Sequence, residues 1–322
     1  MTTTRPTCRI AAVQAAPLFM DRQATLAKAA ALVTAAAERG ADLVVFPESF
    51  VPGYPDWVWM LPPGQGPALA QLYAEFVDAS PTARTADLEP VCRSAAQSHV
   101  HVALGISERS SAGTSLFNCL VLIGPDGDIR GLHRKLVPTG GERLVWAQGD
   151  GSTLEAWDSP FGRIGGLICW ENYMPLARYA LWAWGVQIYL APTWDHGDAW
   201  LATLRHIARE GRAVVVGCGT VLHRNDIPDR FAFKALYPPD RSWINPGDSA
   251  IVGPNGAFLA GPVREKEEIL LAEVNRAELR GRKWDLDVAG HYMRPDVFHL
   301  TLDRAPHALL DVRDSPPPDL DS

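Results

Sequence analysis

One order of strands, helices and turns runs through this chain twice. Residues 9–16 read as a strand, and 21–39 as an Ala-rich helix stopped by Gly40. Residues 42–46 read as a second strand closed by Pro47, followed at once by Glu48 and a loop dense in Pro, Gly and Trp. Helical patterns at 67–79 and 85–98 lead to a strand at 100–106. A hairpin follows, its strands at 115–123 and 129–133 joined by Gly124-Pro-Asp-Gly127. From Arg163 the order returns. Arg163-Ile-Gly-Gly-Leu matches Arg9-Ile-Ala-Ala-Val, and the run between Gly185 and Pro192 has the length of that between Gly40 and Pro47. A helix at 198–211 leads to a strand at 214–219, and Gly253-Pro-Asn-Gly256 repeats the hairpin turn. Two sheets, each with its own helices, pack naturally face to face with the helices outside. We read one duplicated α/β domain over 1–300, its halves at about 8–150 and 160–275. Residues 301–322, which end in Asp314-Ser-Pro-Pro-Pro-Asp-Leu-Asp-Ser322, read as a partly disordered tail.

The repeat places the reactive side chains. Cys169 ends the apolar run 164–168, and Pro175 opens a helical pattern soon after, so a thiol stands where a buried strand turns toward a helix. A strand fixes the backbone there, and nearby amides can hold thiolate charge. Gly165 and Gly166 weaken a strand and suggest close approach by another segment. Glu48 stands just past the second strand of half one, and Lys135 just past the first hairpin. Sites of open α/β sheets gather at strand ends. Each residue has a plainer reading: a small core thiol, a solvated loop carboxylate, a surface charge. Lys135 draws notice because only five of the 30 basic residues are Lys, namely Lys28, Lys135, Lys234, Lys266 and Lys283. Arg holds its charge at all relevant pH, whereas a desolvated Lys can release a proton.

Together the three types suit one chemistry. A thiol attacks an electrophilic carbon as thiolate, and Glu48 can take its proton. Lys135 and the Trp170 backbone amide can receive the charge that develops on the attacked group. No His is needed. His133, His196, His206 and His291 read as structural or surface residues.

Other function classes are disfavoured. The net charge of −7 with no basic block argues against nucleic acid as the main partner. The N-terminus lacks the apolar core of a secretory signal. The longest apolar stretch, 176–192, is broken by Arg178 and Gly185 and is too short to span a bilayer. Five widely spaced cysteines without CxxC suggest neither a disulfide framework nor a zinc site, and fit a reducing cytoplasm.

Three strings then carry a resemblance to the nitrilase superfamily of carbon–nitrogen hydrolases, and to its true nitrilase branch: Phe46-Pro-Glu-Ser-Phe-Val-Pro-Gly-Tyr-Pro55; His133-Arg-Lys-Leu-Val-Pro-Thr-Gly-Gly-Glu-Arg143 with Trp146; and Leu167-Ile-Cys-Trp-Glu-Asn-Tyr-Met-Pro-Leu176. A fourth, Gly290-His-Tyr-Met-Arg-Pro-Asp-Val-Phe298, resembles that branch's C-terminal segment. The resemblance implies a duplicated four-layer αββα sandwich, a Glu48–Lys135–Cys169 catalytic triad, and a supporting Glu142 whose plainer role is a salt bridge to Arg143 or another Arg. It implies no metal or organic cofactor, a homo-oligomer of dimer size or larger, and hydrolysis of a small-molecule nitrile by water to an acid and ammonia. An amidase, a carbamoylase or a cyanide-converting enzyme of the superfamily is the alternative, and a non-catalytic scaffold of the same fold is a further one. Tyr54, Trp57, Trp59, Trp146, Trp170, Tyr173 and Trp194 cluster near the motifs. Of these, Tyr54, Trp59, Trp146, Trp170 and Trp194 are the candidate wall of an apolar substrate pocket, if they do not simply fill the core and subunit contacts.

Overall fold

The computed structural model describes residues 6–62, 64–83, 86–111 and 113–307. In chain order, strand β1 (Thr7–Gln14), helix α1 (Arg22–Glu38) and strand β2 (Leu43–Val45) are followed by the helices α2 (Trp57–Met60), α3 (Gly66–Ala79) and α4 (Glu89–Ser98). Strand β3 (His101–Arg109) and the hairpin β4 (Leu116–Ile123) and β5 (Ile129–Arg134) complete the first half. The second half runs through β6 (Trp157–Ser159), β7 (Gly162–Gly166), α5 (Pro175–Ala183), β8 (Ile188–Thr193), α6 (Asp198–Gly211) and β9 (Val214–Gly219). It ends with β10 (Val221–His223), β11 (Trp243–Val252), β12 (Phe258–Arg264), β13 (Glu268–Asn275) and α7 (Arg276–Gly281).

The repeat read in the sequence is a repeat of register. In one sheet β1, β2 and β3 run parallel with Ile10 opposite Leu43 and Leu43 opposite His101. In the other, β7, β8 and β9 run parallel with Ile164 opposite Ile188 and Ile188 opposite Val214. The full orders are β13-β1-β2-β3-β4-β5 and β10-β11-β9-β8-β7-β6, with β12 on β11. One exchange ties the halves together: β13, from the end of the second half, returns to pair antiparallel with β1 along its whole length, while β6 forms a local hairpin with β7.

Alternation along the strands builds four layers. Ile10, Ala12, Leu43 and Val45 point between the sheets, where they meet Ile164, Ile188, Leu190, Val214 and Val216. Their neighbours Ala11, Val13 and Val44 point outward against α1 and α4, through Leu26, Ala29, Val33, Val91 and Ala95. On the far side Tyr189, Ala191 and Val215 pack against α5 and α6. The result is the expected αββα sandwich. β2 is buried throughout, as a central parallel strand should be. The helices expected at 67–79 and 198–211 are α3 and α6. The one expected at 85–98 is split, with a short 3₁₀ turn (Ala86–Leu88) before α4. β7 stops at Gly166, two residues short of the expected run. Residues 301–307 have no regular structure, and the rest of the expected tail, 308–322, lies outside the described residues.

Candidate active site

Each reactive side chain is fixed by a local device at a strand end. Past β2 the chain crowds onto β3: a Cβ on Gly105 would sit 1.9 Å from the Pro47 carbonyl oxygen, so only glycine admits the approach. Ser49 then turns with φ +46°, and its hydroxyl donates to the Gly53 carbonyl at 3.0 Å. Between them Glu48 is 1% exposed. Lys135 follows β5, its amide bonded to the Asn118 carbonyl at 2.8 Å and its carbonyl to the Gly149 amide at 2.8 Å. Past β7, the Leu167 amide still bonds β8 at Leu190. Gly166 allows this, since a Cβ there would meet the Leu190 carbonyl oxygen at 2.3 Å. Cys169 then opens a 3₁₀ turn (Cys169–Tyr173) with φ +54°, a costly conformation for a side-chain-bearing residue. The Asn172 amide group holds that elbow, donating to the Leu167 carbonyl at 2.9 Å and the Cys169 carbonyl at 2.8 Å. Tyr189 and Arg178 brace Asn172 in turn.

The three distant segments meet. One carboxylate oxygen of Glu48, one of Glu142 and the Cys169 sulfur all lie within 4.8 Å of one another. The Lys135 ammonium joins the carboxylates, at 2.8 Å from Glu48 Oε1 and 2.7 Å from Glu142 Oε2. Glu48 also accepts from Asn118 Nδ2 at 2.6 Å and, on Oε2, from the Trp194 amide at 2.7 Å. Glu142 accepts from the Tyr54 hydroxyl at 2.7 Å and the Thr139 amide at 2.7 Å. The alternative of a salt bridge from Glu142 to Arg143 does not hold: Arg143 Nε donates to the Pro138 carbonyl.

Two buried carboxylates share one buried ammonium, and the charges respond accordingly. Burial pushes the Glu48 carboxyl up, and the opposing pull of Lys135 does not fully cancel it. Burial also raises the Cys169 thiol, the Glu48 charge raises it further, and Lys135 only partly offsets both. Burial works against the Lys135 ammonium, but Glu48, Cys169 and Glu142 outweigh it and hold its pKa above the ordinary Lys value. The cluster thus sets a thiol raised by burial beside a carboxyl group placed to take its proton, with a buried cation adjacent. Glu48, Glu142 and Cys169 could by donor type surround a metal ion, but the Lys135 ammonium already stands between the two carboxylates as their cation.

Above the thiol lies a cavity of about 300 Å³. Tyr54, Trp59, Trp170 and Trp194 line it with Thr139, Glu142, Cys169, Asp195 and His196. The Tyr54 and Trp194 rings stack 4.3 Å apart and 5° from parallel. Trp146 departs from the expectation. It is 2% exposed, packs edge-on behind Tyr54, and donates its indole N–H to Ser107 Oγ at 3.0 Å. It therefore supports the wall and does not form it. Trp57 likewise belongs to an aromatic core with Phe76 and Phe233, and Tyr173 packs against Trp170 and Trp200.

The sequence reading does not point to Asn118, to Thr193 at the end of β8, or to the Trp194 amide. The hairpin held a signal for Asn118: with Cys119 opposite Arg134, Asn118 comes opposite Lys135. A bulge between Leu122 and Ile123 puts a count from the turn out by one.

The profile of the family described as carbon-nitrogen hydrolase matches residues 9–283. The chain is 40% identical to an aliphatic nitrilase of Sinorhizobium fredii over 95% of this chain and 98% of that one. It is 42% identical to a nitrilase of Bradyrhizobium diazoefficiens, over 95% of each. Among solved structures it is similar to Nit3 of Saccharomyces cerevisiae, a member of branch 10 of the nitrilase superfamily, with TM-score 0.71, 19% identity, and coverage of 90% of this chain and 97% of that one. An amidase from Nesterenkonia aligns with TM-score 0.63 at 21% identity, over 89% and 97% of the two chains.

Proposed function

The chain belongs to the carbon–nitrogen hydrolase family, and on that premise we propose that it is a nitrilase. It converts an organic nitrile and two waters to the carboxylic acid and ammonia, through a thioester on Cys169. The observation that carries the assignment of roles is the convergence of the Cys169 sulfur with Glu48, Glu142 and Lys135, with Cys169 and Glu142 reaching the wall of an aromatic-lined cavity. In the first step the Cys169 sulfur bonds to the nitrile carbon while its proton passes to Glu48 and on to the nitrogen, leaving a thioimidate. A thiol raised by burial suits this order, in which the proton leaves during attack. Water adds to the thioimidate carbon, the C–N bond breaks, and ammonia departs. A second water, deprotonated by Glu48, attacks the thioester. The C–S bond breaks, and the thiol and the acid are released. Lys135 stabilises the negative charge of each tetrahedral species, helped by the Trp170 amide. That amide lies in the first turn of a helix, where N–H groups have no intrahelical acceptor. Glu142 fixes the Lys135 ammonium between two acceptors and so directs its third N–H.

The Tyr54–Trp194 stack with Trp59 and Trp170 supports aromatic and arylaliphatic nitriles as substrates. The test is ammonia release over a panel of aryl, arylalkyl and small alkyl nitriles, with free cyanide and the amide matching one nitrile. Turnover of the amide or of cyanide alone would replace the nitrilase assignment. Equal rates on alkyl and aryl nitriles would discard the aromatic preference. We also propose a cytoplasmic homo-oligomer. No two of the five cysteines form a disulfide, as suits a reducing compartment. Among the described residues no helix is long and apolar enough to cross a membrane. Exposed Trp284, Tyr292, Val297 and Phe298 offer apolar area that a second copy would cover. Sedimentation of the purified protein as a monomer at micromolar concentration would refute the oligomer.

A further inference from the structure

Behind the reactive cluster a second buried carboxylate makes an unusual set of bonds. Glu171, two residues past Cys169, turns back into the protein and is 1% exposed. Its Oε1 accepts the Leu136 amide at 2.6 Å, and its Oε2 accepts the Ile168 amide at 2.8 Å. Leu136 directly follows Lys135, and Ile168 directly precedes Cys169. A single carboxylate therefore spans the segment that carries the ammonium and the segment that carries the thiol. These come from different sheets and from opposite halves of the duplicated chain. His133, two residues before Lys135, closes the arrangement. Its Nε2 lies 3.1 Å from Glu171 Oε2 and 3.3 Å from Oε1, and its Nδ1 lies 3.3 Å from the Thr153 carbonyl oxygen. Both ring nitrogens face acceptors, so the doubly protonated ring satisfies both. Burial opposes that charge, and the Glu171 carboxylate outweighs it, leaving the imidazole pKa raised. An uncompensated carboxylate at this depth would be costly, and His133 supplies the counter-charge.

We propose that Glu171, paired with His133, is a positioning residue that sets the Cys169 sulfur at its working distance from the Lys135 ammonium. It touches no reacting atom. It acts by fixing the backbone on the near side of each. The inference rests on the reading of Cys169 and Lys135 given above, and displacements of about 1 Å at such a centre can cost about 10²-fold in rate. A carboxylate is needed because both amides donate. Glutamine offers one acceptor oxygen, and its NH₂ would face the other amide. Aspartate is one methylene too short to reach both.

The experiment compares Glu171→Gln, Glu171→Asp and His133→Asn with Glu108→Gln. Glu108 is an equally inward carboxylate, paired with Arg134 on the other side of the same strand. Three quantities are read: melting temperature, kcat and KM on the best nitrile, and the rate of Cys169 alkylation by iodoacetamide followed by mass spectrometry. Both Glu171 variants should lose about 100-fold in kcat with KM changed less than about threefold, and their Cys169 should alkylate about tenfold more slowly. His133→Asn leaves both amide bonds and should lose about tenfold. Glu108→Gln should keep kcat within about twofold even if its melting temperature falls equally. Wild-type kcat in Glu171→Gln, unchanged or faster alkylation, or a loss in Glu108→Gln matching its fall in melting temperature, would overturn the proposal. Should the Glu171 variants not fold, a wild-type kcat and alkylation rate in His133→Asn would do so. Alkylation needs no nitrile turnover. A wild type inert to every nitrile would therefore refute the assigned reaction while the alkylation rates still judge the role of Glu171.

Discussion

Cys169 and Cys218 are two buried thiols in one protein, and both border the same layer between the sheets. Burial drives both thiols up, and it is the largest cause in each. They differ in what surrounds the sulfur. Cys218 lies within β9, on regular backbone, and its S–H points at the carbonyls of Val13 at 3.4 Å and Val45 at 3.2 Å. Those acceptors take a hydrogen bond but not a proton. Cys169 sits on a left-handed elbow with a carboxylate and an ammonium beside it. Val45, the last residue of β2, thus faces the Cys218 thiol, and Glu48, three residues further on, is the proposed base for Cys169. Low thiol pKa is therefore not what separates the proposed nucleophile from a filler here. The separation comes from having somewhere for the proton to go and a cation for the charge that follows.

The comparison can be broken in four places. Cys169→Ala should abolish ammonia release from any nitrile the wild type turns over, and measurable turnover would move the nucleophile elsewhere. Lys135→Arg should lose about 10²- to 10³-fold in kcat, since a forked guanidinium cannot take the place of a compact ammonium between Glu48 and Glu142. A rate near wild type in steady-state assays would take Lys135 out of the mechanism. The third test is pH. Glu48 accepts a proton only when ionised, and its pKa is raised above the ordinary 4.5. The acid limb of kcat/KM should therefore lie above that value, with rate lost as pH falls through it. A limb at or below 4.5 would show that another group acts as base. The smallest effect is expected at Cys218→Ala: kcat within about twofold, and a stability loss of about 1 kcal/mol from the deleted core sulfur, read by urea melts. A large loss of activity there would remove the contrast with Cys169.

Much of this was open to sequence reasoning because the repeat fixes topology. Once Arg163 is matched to Arg9, two packed sheets with outer helices and the strand ends that bear Glu48 and Cys169 follow from general rules of α/β packing, whereas the edge strands β6 and β13 carry no signal in the repeat. Glu48 and Lys135 draw notice because each stands just past a strand or hairpin, whereas Glu142 comes from the family resemblance alone. What escaped was held by tertiary pairing. Asn118 and Thr193 look like ordinary strand residues, and only cross-strand register brings them to the site. Trp146 was misplaced because proximity in sequence to a motif does not say which way a ring faces. The interval from 224 to 242, with 3₁₀ turns at Arg224–Asp226 and Ala232–Leu236, has no periodicity to read. It still supplies Phe231, Phe233 and Tyr237 to the aromatic core behind the cavity.

The return of β13 to β1 has a bearing on how the protein is made. During synthesis the first sheet stays unfinished until residues 268–275 have left the ribosome, long after the other five of its strands. Until then β1 presents an open row of amides and carbonyls, which invites pairing with another nascent chain. Shortening the gene to end before Glu268 would leave that edge permanently bare. Such a product should collect in inclusion bodies even though every residue of its reactive centre is present.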